Sequence, residues 1–189
     1  MHDIEKPGVI LALAAALRKR GSWAGETHVQ KAGYLLQHML HVPLGFKYIL
    51  YKHGPFSFDL RGAISEMEAE DFIRWEPKPY PYGPSLQPGQ NAIYVLAVSK
   101  YPKAFHSQIE FTAEKLAAKN VAALERLATA LYVTLDGCSP VTRSHRIHAL
   151  KPHVTLQQAE AAVTELDSIR AEAEQKQLVL ASRQPHPGN

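Results

Sequence analysis

Residues 46–57, with the sequence FKYILYKHGPFS, constrain the fold of this chain more than any other stretch. Apolar side chains occupy both faces of the first half, as in a short buried strand or a packed extended segment. Gly54 and Pro55 break the extended run, and Ser57 can cap the helix predicted to follow at about 57–70. The segment is therefore predicted to be an extended element that leads directly into a helix.

Helical periodicity covers most of the remaining chain. The spacing of apolar residues predicts helices at about 8–20, 28–41, 107–119, 124–135, 142–150 and 156–177. Three sequences of the capping-box type, Thr27–Gln30, Ser107–Glu110 and Thr155–Gln158, are predicted to begin helices. We therefore expect the extended segment to pack between the second helix and the helix at 57–70.

Two strands are predicted after the helix at 57–70. Residues 71–76 alternate like a strand, and residues 92–98 form a second one. The Pro-rich connection at 77–91 is predicted to have no regular structure and to form a long hairpin loop. Helix, strand, long loop and strand, in this order, are typical of a winged helix.

The fold class follows from these elements. We predict a mainly α fold with a small β-hairpin, in which a winged-helix-like part at 1–99 packs against a helical block at 100–181 and shares its core. The polar, Pro-rich residues 182–189 are predicted to be a disordered tail.

Composition narrows the class of protein. The formal net charge of +3 divides evenly between the two halves, which does not suggest a polyanion binder. The single cysteine, Cys138, excludes an intramolecular disulfide and a Cys-based zinc site, and favours a reducing compartment. The apolar run at 9–17 is too short to span a bilayer and has acidic residues before it and basic residues after it. We therefore expect a cytoplasmic protein with no membrane association.

The residues around the extended segment carry a resemblance. Lys31, Tyr34-Leu35-Leu36-Gln37, the pattern Phe46-x-Tyr48-x-x-Tyr51-x-x-Gly54-Pro55-Phe56-Ser57, and Leu60 resemble the YwgA-like family of bacterial proteins. The pattern is more distantly similar to the Panacea domain of SocA- and GepA-type antitoxins and adaptors. The Panacea likeness implies contact with a partner protein, such as a toxin that is neutralised or presented for degradation. The YwgA-like likeness implies no reaction.

The motif is expected to have a structural role. Its residues are Phe46, Tyr48, Tyr51, Gly54, Pro55, Phe56 and Ser57, together with His53, whose position is set by the turn before Gly54.

The sequence favours a non-enzymatic protein-interaction module. Trp75, Tyr80 and Tyr82 are the predicted contacts for a protein partner, because aromatic groups on a projecting loop make effective anchors. The simpler alternative is that Trp75 belongs to the core and that the two tyrosines pack the loop down.

A DNA-binding transcriptional regulator is the alternative function. Arg18, Lys19, Arg20, Lys47 and Lys52 are its candidate contacts to nucleic acid. The first three also suit the last turn of a helix, where cations face exposed carbonyls. The helix that would read DNA carries several carboxylates, including Asp59, Glu66, Glu68 and Glu70, against Arg61 alone. Nucleic-acid binding is therefore the less favoured interpretation.

Catalytic and metal chemistry have weaker signals. His38 and His41 are three residues apart, as are His145 and His148, but neither pair has an evident third ligand. Surface or hydrogen-bonded histidines are the simpler interpretation. Cys138 with His145 could be a nucleophile and base, although a lone loop cysteine is more often a small packing residue. We therefore expect no catalytic residue, cofactor or metal.

Overall fold

The structure, a computed structural model, describes residues 4–79 and 83–181. These residues form nine helices and four short strands in the following order: α1 Glu5–Lys19, α2 Glu26–His38, β1 Ile49–Tyr51, β2 Gly54–Phe56, α3 Phe58–Ala69, β3 Ile73–Glu76, β4 Ser85–Pro88, α4 Ala92–Val98, α5 Tyr101–Ala104, α6 His106–Leu116, α7 Val121–Leu135, α8 Arg143–Leu150 and α9 Leu156–Gln175. The predicted mainly α class with small β-hairpin structure is confirmed. The described residues contain two such hairpins.

The segment at 46–57 is itself one of these hairpins, and its prediction as a single extended run is wrong. β1 and β2 pair antiparallel, with Ile49 opposite Phe56 and Tyr51 opposite Gly54. Gly54 has a φ of +80°, a conformation that L side chains rarely adopt. The backbone therefore reverses before Gly54 and returns as β2, so the Gly-Pro step belongs to a strand.

The second hairpin differs from its prediction in its second strand. β3 lies within the predicted strand at 71–76, but it pairs with β4 inside the Pro-rich connection, with Ile73 opposite Pro88. The predicted strand at 92–98 is the helix α4. A short, continuously apolar run does not separate strand from helix by periodicity, which explains the error. The winged-helix assignment stays a prediction.

Helix starts test the predicted capping boxes. The box at Thr155–Gln158 is confirmed, with both reciprocal hydrogen bonds formed. The other two are wrong. Thr27 lies inside the first turn of α2, and the side chain of Gln30 instead bonds to the backbone of Ser57. Ser107 lies inside α6, which has no side-chain cap.

The core joins the two halves of the chain. One cluster of buried apolar side chains extends from Val9 to Leu178. Within it α7 packs against α2, α8, α9 and β2, while α1 packs against α6. None of the helices in the described ranges is both long and apolar enough to cross a membrane. The predicted tail at 182–189 lies outside the described residues.

Candidate functional site

Two buried lysines hold the β1–β2 hairpin on the helices. Lys31 of α2 is 2% exposed, and its Nζ donates a hydrogen bond of 2.8 Å to the carbonyl oxygen of Pro55. Lys151, which follows α8, is 6% exposed. Its Nζ donates to the carbonyl oxygens of Tyr51 and Lys52, at 2.6 and 2.7 Å. The hairpin is therefore tied to α2 through β2 and to the end of α8 through β1 and its turn.

The start of α3 is fixed by a third buried side chain. Nε2 of Gln30 donates to the carbonyl oxygen of Ser57, and the amide of Ser57 donates to Oε1 of Gln30, both at 3.0 Å. The hydroxyl of Ser57 then accepts a hydrogen bond from the amide of Leu60, which confirms the predicted cap. α3 therefore begins at a defined position relative to α2.

Glu125 of α7 supplies the negative charge beneath the hairpin. Its Oε1 lies 3.5 Å from Nζ of Lys151 and 3.3 Å from Nε2 of His153, and its Oε2 lies 3.7 Å from Nδ1 of the exposed His53. We call Lys31, Glu125 and Lys151 the buried charge cluster. Burial lowers the pKa of Lys31 to about 8, Glu125 acts in the opposite direction, and Lys151 adds to the lowering.

The buried charge cluster has a structural effect on the hairpin. Lys31, Glu125 and Lys151 do not line the cavities beside Trp75, along α3 or beside Arg18.

The sequence signal that could have identified the cluster is a charge inside an apolar helical stripe. Lys31 lies between buried positions of α2, and Glu125 follows the buried Leu124.

Two glycines allow the close packing of this region. A Cβ on Gly54 would lie 3.1 Å from Oγ1 of Thr129 and 3.3 Å from the carbonyl oxygen of Glu125. A Cβ on Gly33 would lie 2.9 Å from the hydroxyl oxygen of Tyr48. Gly33 therefore lets Tyr48 approach α2 closely.

The first aromatic residues of the motif point inward. Phe46 is buried, and the side chain of Gln37 bonds to both its amide and its carbonyl. Tyr48 packs edge-on against Tyr34 and His38, with ring centroids 4.9 and 5.5 Å apart. Burial raises the pKa of Tyr48 and Tyr34. These residues therefore attach the chain before β1 to α2.

The later aromatic residues lie on the surface. We define the aromatic patch as Ile49, Tyr51, Phe56 and Phe58. Tyr51 and Phe58 are 53% and 54% exposed, and Ile49 is 49% exposed. The three rings contact one another, with centroids 5.1 to 5.8 Å apart. A contiguous apolar surface of this kind is typical of interaction sites, whereas a single exposed apolar side chain is ordinary.

A groove adjoins the aromatic patch. This α3 groove has a volume of about 910 Å³, and Phe58 lines it as well as belonging to the patch. Its lining includes the buried Phe46 and Met67, and the exposed Asp59, Glu66 and Glu70. The two features form one continuous surface along α3 and the hairpin.

A second exposed apolar surface lies on α4. Ile93, Tyr94, Leu96 and Val98 are all exposed, while only Ala92 and Val95 of this helix are buried. α4 has seven residues and no side-chain cap.

Of the three predicted partner contacts, only Trp75 lies within the described residues, and it is not part of the aromatic patch. Trp75 is partly buried against the core, and it lines a cavity of about 520 Å³ together with Trp23 and His28. Tyr80 and Tyr82 lie outside the described residues. Phe58, which the sequence analysis did not select, is more exposed than Trp75.

The candidate nucleic-acid contacts are dispersed. Arg20 forms an ion pair with Glu110, with 2.6 Å between Nη2 and Oε2. Arg18 and Lys19 line a third cavity of about 630 Å³ with Lys78, and neither Lys47 nor Lys52 lines it. Both of the latter are exposed.

The candidate metal ligands have other contacts. His41 Nδ1 lies 2.8 Å from the carbonyl oxygen of Leu180, and His148 Nδ1 lies 2.7 Å from that of Val154. His38 contacts Tyr34 and Tyr48, and burial lowers its pKa. Residues 4–79 and 83–181 contain no group of three or more His, Cys, Asp or Glu side chains that could hold a metal ion.

The candidate nucleophile and base are Cys138 and His145. Cys138 is a free, partly buried thiol packed against the core, and His145 is exposed on α8.

The chain matches no protein-family model and no curated protein. Its function is therefore inferred from its own surface.

Proposed function

We propose that the protein is a non-enzymatic protein-interaction module whose binding face is the aromatic patch. The observation that carries this proposal is the exposure of Tyr51 and Phe58 on a hairpin that buried Lys31 and Lys151 hold in place. Exposed aromatic side chains bury a large area on binding and have few rotatable bonds. A surface held in one conformation also loses less entropy when a partner binds.

The aromatic patch is favoured over the apolar face of α4 as the binding face because buried side chains hold the backbone around the patch. Buried side chains bond directly to the backbone of Tyr51, Pro55 and Ser57, on both sides of the patch. α4 buries only two of its seven residues, and the side-chain hydrogen bond at its start, from Nδ2 of Asn91 to the carbonyl oxygen of Glu70, is exposed. The hairpin is therefore the better preorganised of the two surfaces.

A cytoplasmic antitoxin or adaptor is the role that the sequence resemblance supports. The residues that resemble the YwgA-like and Panacea patterns include Lys31, Tyr51 and Gly54, which build and hold the hairpin. A role of this kind requires contact with a partner protein but no catalytic centre.

Photo-crosslinking tests the binding face. A photoreactive phenylalanine analogue placed at Phe58, at Tyr51 or at the control Tyr94 is activated in cells of the source organism, and each crosslinked protein is identified and then purified. The proposal predicts that one protein is crosslinked from both hairpin positions, binds the purified chain directly, and is not crosslinked from Tyr94. Crosslinking of that protein only from Tyr94, or no direct binding, would overturn it.

A DNA-binding regulator is the second candidate. The cavity lined by Arg18, Lys19 and Lys78, beside the β3–β4 hairpin, is the observation that favours it. Salt-sensitive binding to duplex DNA that is weakened by Arg18→Glu with Lys19→Glu would support this function over the first. The carboxylates on α3 and the pairing of Lys78 with Glu76, at 2.9 Å, oppose it.

A further inference from the structure

We propose that the α3 groove binds a basic amphipathic helix of the partner protein. The inference rests on the proposed function and names the chemistry of the partner. The groove has a volume of about 910 Å³, which is enough for several side chains. An amphipathic helix places apolar residues at positions i, i+3, i+4 and i+7 along such a groove.

The apolar part of the groove is kept open by small residues. Gly62 and Ala63 of α3 line it, beside the buried Met67 and Phe46. A Cβ on Gly62 would contact nothing within 4 Å. Packing inside the chain therefore does not require this glycine, although glycine in a helix interior costs about 0.5–1 kcal/mol relative to alanine. Its effect is to leave space at the surface.

The charge of the groove selects a cationic partner. Asp59, Glu66 and Glu70 line it against one basic residue, Lys6. Glu66 and Glu70 form no ion pair within the described ranges, and Nζ of Lys6 lies 5.4 Å above the ring of Phe46. Three carboxylates and one ammonium leave a net charge of about −2. Lys and Arg on the polar face of a helix complement this charge, whereas phosphate groups would be repelled.

The position of the groove joins it to the proposed binding face. Phe58 belongs to the aromatic patch and lines the groove. One partner can therefore place an apolar helix face in the groove and a further segment on the hairpin.

A displayed random-peptide library tests the inference. Peptides of about 16 residues, or four helical turns, are selected on the full chain, and the affinity of each selected peptide is then measured for Gly62→Leu, whose side chain fills the groove. Ala161→Leu, which adds a leucine at an exposed position of α9, is the matched control. Thermal unfolding of each variant checks that the fold is kept.

The expected peptides carry net positive charge and apolar residues at helical spacing. Their affinity should fall at least about tenfold for Gly62→Leu. At low salt, the affinity for the triple variant Asp59→Asn, Glu66→Gln and Glu70→Gln should be lower than the affinity for wild type. The affinity for Ala161→Leu should equal that for wild type. Failure to enrich any peptide, enrichment of acidic peptides, or equal affinity for Gly62→Leu and wild type would overturn the inference. Tyr51 does not line the groove, so crosslinking from Tyr51 tests the aromatic patch independently of these outcomes and the two proposals fail separately.

Discussion

Nζ of Lys31 donates its 2.8 Å hydrogen bond to the carbonyl oxygen of Pro55 from a side chain that is 2% exposed. An ammonium group loses most of its hydration in such a place, and one carbonyl oxygen does not replace it. The connection between α2 and the hairpin therefore contains a cation whose protonation state depends on pH. The contribution of this contact to stability can therefore be tested by changing the pH.

Stability should rise with pH above about 8. The folded pKa of Lys31 is about 8, below its ordinary value of 10.5, so between these values the unfolded chain binds more protons than the folded chain. The free energy of unfolding should therefore increase across this interval, by up to about 3 kcal/mol for a shift of this size. Urea denaturation at a series of pH values measures it.

Two features sharpen this pH experiment. Lys31→Met should remove the rise between pH 8 and 10, and an equal rise in the variant would contradict the assignment to Lys31. Tyr34 and Tyr48 have raised pKa values, so the unfolded chain loses their protons first above pH 10. The free energy of unfolding should therefore fall above pH 10 in both wild type and Lys31→Met.

Gly54→Ala should destabilise the protein more than Gly137→Ala does. Both glycines have a φ of +80°, which costs about 1–2 kcal/mol for alanine. A Cβ at Gly54 would also press on Thr129 and Glu125, whereas a Cβ at Gly137 meets nothing within 4 Å. We expect a loss of about 2–4 kcal/mol for Gly54→Ala and about 1 kcal/mol for Gly137→Ala. Chemical denaturation gives both values, and equal losses would refute the close packing of β2 on α7.

Lys151→Met should loosen the hairpin. The substitution removes two hydrogen bonds, to the carbonyl oxygens of Tyr51 and Lys52, and should cost about 1–3 kcal/mol. The substitution should accelerate hydrogen–deuterium exchange more in residues 49–56 than in α9. Lys119→Met, which removes an ion pair to Glu165 on α9, is the control and should leave exchange in the hairpin unchanged. Unchanged exchange in Lys151→Met would show that the lysine does not hold the hairpin.

Gly62→Ala should stabilise the protein. Alanine is the better helix former, and the added Cβ has open space, so we expect a gain of about 0.5–1 kcal/mol. Gly33→Ala, in α2, should have the opposite effect because its Cβ would lie 2.9 Å from the hydroxyl of Tyr48. Thermal unfolding of the two variants compares them directly. A loss of stability in Gly62→Ala would mean that the glycine has an internal packing role.

Local periodicity predicted the longer helices, but not α4 or α5, because the apolar stripes of the longer helices extend over several turns. α7 and α9 are long enough for this signal, and the cap at Thr155 depends on residues three positions apart. Contacts between distant residues are different. Gln30 looks like half of a capping box, yet it bonds to Ser57, 27 positions later. A local pattern contains no information on such a competitor.

The candidate site was only partly predictable for the same reason. The motif at 46–57 predicted an extended segment but not its reversal into a hairpin, and which of its aromatic residues are exposed depends on the register of Ile49 opposite Phe56. Phe58 became part of the surface because α3 starts directly after the hairpin. Glu125 lies far from the motif in sequence, and only the packing of α7 under β2 brings it there.

The central claim is that the aromatic patch binds a partner protein, and the affinity of the purified, crosslinked partner tests it most directly. Isothermal titration calorimetry measures this affinity for two double variants. The patch variant carries Tyr51→Ser and Phe58→Ser, and the matched control on α4 carries Ile93→Ser and Tyr94→Ser. Loss of two exposed aromatic anchors should weaken binding by at least about tenfold, and the α4 variant should bind like wild type. Equal affinity of the patch variant and wild type would contradict the account.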